Sequence, residues 1–347
     1  MKSLVLLLAL FFGCVLRAHA QTPVVQPPKT HKDQLLHALV ENTIAPGYVR
    51  LAERCRRLAE AAGRFDEQVD AGRLETTRTC WVEAARAAQE VEACRIGPIT
   101  EGGLASTFYF LPARPASIER AILAMPAVGD DGLAALGAAA KGLYAMEYLL
   151  FPEDPSTSME RFSCDAGGTR RHYLHQIARE AADRAERLSK DWQAPYSPTA
   201  VAFLNGGQDS LNALVNRMVM TADTAVTVRL ASAFEPSDRP DRGKVPGSVS
   251  GHSHLLLEAT VKGLRQLHEG GLNVYARRLN APLADRLDQQ FASAMESLAR
   301  LNQSPESQDR SLLTNAACQC TPLGVLLKVD LASSLGVTLT FISTDGD

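Results

Sequence analysis

The stretch GLYAMEYLLF, Gly142 to Phe151, holds one carboxylate, Glu147, among apolar and aromatic residues. On a helix Tyr144 and Glu147 are neighbours at i,i+3. Tyr148 lies one turn beyond Tyr144, and Phe151 one turn beyond Glu147. Leu143, Met146 and Leu150 form an adjoining apolar stripe, so the segment is apolar nearly all round and predicts burial on several sides. A carboxylate in such a place must be hydrogen-bonded, paired, metal-bound or protonated. Gly142 is costly inside a helix and predicts the close approach of another backbone. Two readings stand. Glu147 and Tyr144 form a ligand or metal site, or Glu147 is satisfied by an arginine or backbone groups while Tyr144 fills the core.

Histidines offer a second kind of chemistry. HSHLLLE places His252, His254 and Glu258 together, with Glu258 one turn after His254, so those two can reach one ion. Imidazole and carboxylate both serve zinc or iron. The plain alternative is a helix start with solvated polar residues. His172 and His175 share a predicted helix face at three-residue spacing. The sequence has no HExxH. His268-Glu269, its only His-Glu pair, lacks the second histidine that zinc-peptidase chemistry uses. There is no Gly-x-Ser-x-Gly elbow and no phosphate-binding glycine loop, and Ser253 has no evident triad partners. No catalytic signature defines an enzyme class.

The elements that must position these groups read as helices. The chain has 347 residues, 46% hydrophobic and 22% charged, the composition of a folded globular protein. Residues 1–20 carry a short basic start, an apolar run from Leu4 to Leu16 and Ala18-His19-Ala20, which together predict an export signal. An uncleaved anchor and lipoprotein processing at Gly13-Cys14 are the other outcomes, although Phe11 and Phe12 fit the latter poorly. Cleavage removes Lys2 and Arg17 and takes the formal charge from -3 to -5. A mildly acidic chain without a basic arm argues against nucleic acid as a partner. No second apolar run reads as a membrane span. Six cysteines remain after cleavage. Cys80 and Cys94 are predicted on one helix about 21 Å apart, too far to bridge.

A Pro-rich leader covers 21–30. Leucines and valines at three- and four-residue spacing then predict long helices, with a kink or break at Pro46-Gly47 and a stop at Gly97-Pro98. Residues 129–151 and 171–192 are predicted helical, as are segments after 210, 252 and 280. The tail predicts one more helix and a short β-like run. The reading is an all-α protein of two helical-bundle-like domains, 31–168 and 169–347, with minor β elements near the C-terminus.

These segments resemble the imelysin-like family, also called the M75 peptidase-like family. GLYAMEYLLF is similar to its Gly-x-His-x-x-Glu motif, with Gly142 and Glu147 matching and Tyr144 standing at the histidine position. TCWVEAARAAQEVEACRIGP, SGHSHLLLEATVKGLRQLHEGG and LGVTLTFISTDGD resemble three further family segments, so the resemblance covers roughly residues 35 to 347. It implies two helical domains and an exported bacterial protein of iron or metal acquisition, a non-enzymatic binding component with iron or zinc as the metal and an envelope protein as partner. A metallopeptidase and an envelope scaffold are the alternatives. Its site would centre on Glu147 and Tyr144 near the domain junction, with Asp345 and Asp347 as polar partners if the tail folds back. Tyrosine at 144 breaks direct transfer of metal binding, since a phenol ligates ferric iron only after losing its proton.

Overall fold

The computed structural model describes residues 24–128, 136–224, 230, 245–303 and 310–340. Within them the chain is all-α. In order the helices are α1 (His31–Leu39), α2 (Ala45–Glu67), α3 (Ala71–Glu90), α4 (Leu104–Tyr109), α5 (Pro115–Val128), α6 (Leu143–Leu150), α7 (Ser158–Ser163) and α8 (Gly167–Asp191). They continue as α9 (Pro198–Asn205), α10 (Gly207–Ala222), α11 (Ser253–Leu267), α12 (Asn273–Leu279), α13 (Ala281–Gln303), α14 (Arg310–Val325) and α15 (Ala332–Ser334). The predicted export signal lies outside the described residues. The leader is described from Val24, whose carbonyl accepts from Asn205 Nδ2 at 2.9 Å.

Each long helix buries one stripe, and the stripes meet in series. α2 packs on α8 and α3, α3 on α11 and α6, α11 on α13, and α13 on α14. The buried apolar residues form one continuous cluster from Leu35 to Leu335. Trp81 and Trp192 are its largest fully buried side chains.

The break predicted at Pro46-Gly47 is a π-helical turn, Val40–Ile44, which ends two residues before Pro46, in the first turn of α2. Proline lacks an N–H, and it stands just after the π turn, where the regular hydrogen-bond ladder is already interrupted. A kinked turn, His268–Leu272, with a non-helical backbone at Gly271, joins α11 to α12. The two turns face each other: Thr43 Oγ1 donates to Gln266 O at 3.0 Å, and Asn42 Nδ2 donates to Gly270 O at 3.2 Å.

Two expected helix boundaries are corrected. Helix α3 ends at Glu90, and Cys94 sits in a separate 3-10 turn, Glu92–Cys94. All six cysteines are free thiols, and burial pushes Cys55, Cys94 and Cys320 each up to about 12. The region expected as one helix over 129–151 is described only from 136, and its helix is confined to Leu143–Leu150. Alanine and glycine supply apolar character before 142 but no stripe bulky enough to pack. The helical run Arg310–Ser334 is long and apolar enough, by length and composition, to cross a membrane. Its scattered polar residues hid that length, and one of its faces (Leu313, Cys320, Leu323, Leu327) joins the core. No strand occurs among the described residues; 337–340 are unpaired, and the rest of the β-like run lies outside them.

Candidate functional site

Helix α6 is held at both ends by α3. Trp81 Nε1 donates to Leu143 O at 2.8 Å, and Arg78 Nε donates to Leu150 O at 2.9 Å. Arg78 and Trp81 are three residues apart on α3 and so present to one face. Arg78 also lies over the Phe151 ring at 5.4 Å, and Trp81 meets the same ring edge-on at 5.2 Å. Arg78 thereby supplies a positive donor where the last carbonyls of α6 lack partners. Trp81→Phe leaves Leu143 O without this buried donor and is expected to cost about 1–3 kcal/mol by chemical denaturation.

The start of α6 is fixed by contact. Gly142 caps the helix at φ 86° and ψ -175°, a region essentially limited to glycine. A β-carbon there would sit 2.4 Å from the Thr107 carbonyl oxygen of α4. The backbone approach expected at Gly142 is therefore present, but at the helix cap rather than inside the helix.

Tyr144 and Glu147 are both buried, and they serve different neighbours. The Tyr144 hydroxyl accepts from Gln89 Nε2 at 3.0 Å, and Gln89 Oε1 accepts from Thr260 Oγ1 at 2.9 Å. Tyr144 thus ties α6 to α3 and α11. Tyr144→Phe removes the acceptor for a buried amide and is expected to cost about 1–2 kcal/mol in a thermal or urea melt.

Glu147 instead faces the turn before α11. Its Oε1 accepts from the Ser250 backbone N–H at 2.9 Å, across 103 positions of sequence. The turn is folded on itself: His252 N donates to Gly247 O at 2.8 Å, and the Ser250 hydroxyl donates to Gly247 O at 3.2 Å. Gly247 has φ 77°, and a β-carbon on it would press on the His252–Ser253 backbone at 2.9 Å. Successive N–H groups in such a turn form a concave anion receptor. Burial pushes the Glu147 carboxyl up to about 7, against the pull of the Ser250 hydroxyl and the N–H groups of Ser250, Val249 and Gly247. Glu147 is therefore close to balance between its charged and neutral forms near neutral pH.

The histidine sites diverge. His252 meets the Phe151 ring at 5.9 Å, and its buried Nδ1 has no hydrogen-bond partner among the described residues. His254 and Glu258 turn towards the end of α13, where Asn302 Nδ2 donates to Glu258 Oε2 at 2.6 Å and meets the His254 carbonyl at 3.5 Å. Burial lowers the pKa of both histidines. His172 and His175 converge on Asp66, at 3.2 and 3.7 Å. Asp345 and Asp347 lie outside the described residues.

The groups around Glu147 do not fit a resident metal. They are N–H and O–H donors, which stabilise an anion and oppose a cation. No group of three or more His, Cys, Asp or Glu residues able to hold a metal occurs among the described residues. Sequence reasoning placed Glu147 in a buried helix but missed Ser250 and its turn. The available signal was PGSVSG, two glycines around small residues just ahead of a helix.

What emerges is an all-α chain whose buried helical glutamate is clasped by a distant glycine turn. The imelysin model of the M75 peptidase family matches residues 44–319, and the chain belongs to that family. It is 22% identical over 317 residues to iron-regulated protein A of Synechococcus elongatus, covering 84% of this chain and 82% of that one. An imelysin-like protein from Psychrobacter arcticum 273-4 shares the fold with a TM-score of 0.74 at 20% identity, over 92% of this chain and 99% of that one. A putative iron-regulated protein A precursor from Parabacteroides distasonis has a TM-score of 0.72 at 14% identity, over 90% and 96%.

Proposed function

We propose that this is an exported, non-enzymatic binding component of iron or metal acquisition in the cell envelope, with Glu147 anchoring its internal architecture. The observation that carries the site reading is the Ser250 N–H donated to Glu147 Oε1 at 2.9 Å. It gives Glu147 the role of anchor between α6 and the turn leading into α11. Membership of the imelysin family and the names of two relatives, both iron-regulated protein A, support the link to iron. The word precursor in one of those names supports export. Iron or zinc is then cargo, or a signal to which the protein responds, and the partner is an envelope protein that shares the cargo.

The test uses a strain lacking the protein. Iron limitation is expected to raise its abundance, and the deletion is expected to slow growth on limiting iron. Wild type and Glu147→Gln restore growth, whereas Glu147→Ala does not. Abundance and growth that ignore iron would sink the link to iron acquisition. Stoichiometric iron bound by wild type and lost in both variants would make Glu147 a metal ligand instead of an anchor.

A further inference from the structure

A cleft of about 1360 Å³ opens beside the 3-10 turns that follow α3, and its walls come from α9, α10 and the tail. That is larger than most small-molecule sites, which span about 300–1000 Å³. Two arginines line it, Arg95 just after the turn and Arg217 from α10. Arg95 lies over the Tyr109 ring at 4.5 Å, which fixes its plane without using its N–H donors. Arg217 directs Nε at the Glu92 carbonyl at 3.4 Å and Nη1 at the Met220 sulfur at 3.2 Å, both weak uses of a five-donor group.

Among the described residues no carboxylate stands within 4.0 Å of either guanidinium, although Arg54, Arg56, Arg78, Arg170 and Arg184 each have one. Glu92 is the carboxylate nearest in effect, and it has partners of its own. The other charges in the wall do not change the sign of this end. Lys328 and Asp223 pair at 3.4 Å, and Asp209 is exposed at the start of α10. Partly buried like charges repel unless something neutralises them. Burial, and then Arg95, both lower the Arg217 pKa.

We propose that Arg95 and Arg217 form the oxyanion-binding end of this cleft, and that its ligand is a small molecule bearing a carboxylate or a phosphate. The guanidinium fork matches both groups through paired N–H donors. Phe203, Val219 and Leu339 line the same cleft and would cover an apolar part of the ligand.

The test titrates the mature chain with inorganic phosphate and, separately, with citrate, by calorimetry and tryptophan fluorescence. Trp192 is a suitable reporter because it packs on Phe203 of the wall at 5.6 Å. At least one anion is expected to saturate one site. Arg95→Gln and Arg217→Gln should each weaken it by about tenfold or more, the loss of one charge-assisted contact. Arg56→Gln, in an exposed ion pair of α2 outside the cleft, should change it by less than about threefold. Saturation by phosphate alone assigns a phosphate-bearing ligand, and saturation by citrate alone a carboxylate. No saturation by either, or affinity unchanged in the arginine variants, overturns the proposal. Arg95→Gln decides the matter alone if the Arg217 variant does not fold.

Discussion

Glu147→Ala is expected to lower the free energy of unfolding by about 3 kcal/mol, from a small cavity and the unpartnered N–H of Ser250. Glu147→Gln keeps the shape and an acceptor oxygen, so its effect depends on pH. The carboxyl stands at about 7 in the folded chain against an ordinary value of 4.5. The folded state therefore holds the proton more tightly than the unfolded state between those values. The resulting stabilisation is fully present below pH 4.5 and is lost as pH rises through 7. Relative to Glu147→Gln, wild type should lose up to about 3 kcal/mol across that window. Urea denaturation of both proteins at pH 5 and pH 8 measures this. Parallel pH profiles would show that Glu147 titrates alike in both states and would remove the balance from the mechanism.

Gly142→Ala is expected to be at least as damaging, about 3 kcal/mol or more, or to prevent folding. Two costs add here. The backbone at φ 86° and ψ -175° is strained for any β-carbon, by about 1–3 kcal/mol. The new methyl group must also displace the Thr107 carbonyl, 2.4 Å from the place it would occupy. Relief would need α4 and α6 to separate, and α6 is pinned by Trp81 and Arg78. Gly137→Ala, with nothing within 4 Å of the added carbon and an extended backbone, is the control and should be nearly neutral. Similar melting curves for the two variants would contradict the packing described at Gly142.

Long helices were legible because their apolar spacing repeats over many turns, as in α8 and α13. The short α6 was located by composition, but its length was overestimated. The Ala- and Gly-rich residues ahead of it are apolar without defining a face. At the candidate site, the burial of Glu147 could be read from its neighbours. Its partner could not, because a backbone N–H has no residue type, and Ser250 is 103 positions away. The pairing of Tyr144 with Gln89 was equally hidden, since Gln89 reads as an ordinary polar position near the end of α3. The β-like tail shows the limits of alternating pattern: 337–340 lie along α10, held by Asn216 to the Thr338 carbonyl and the Thr340 N–H, each at 2.8 Å.

The π-helical turn before α2 has a consequence for how the chain tolerates insertion and deletion. A π turn holds one more residue than an α-helical turn, which rotates everything beyond it by about 100° relative to a regular helix. At Val40–Ile44 that rotation sets the phase between the stripes of α1 and α2. Thr43 and Asn42 tie this turn to the end of α11 and to the kink after it, which fixes the step in place. Deleting a single residue from the π turn would make a smoother helix and a worse protein, because the buried leucines of α1 and α2 would no longer point at the same core.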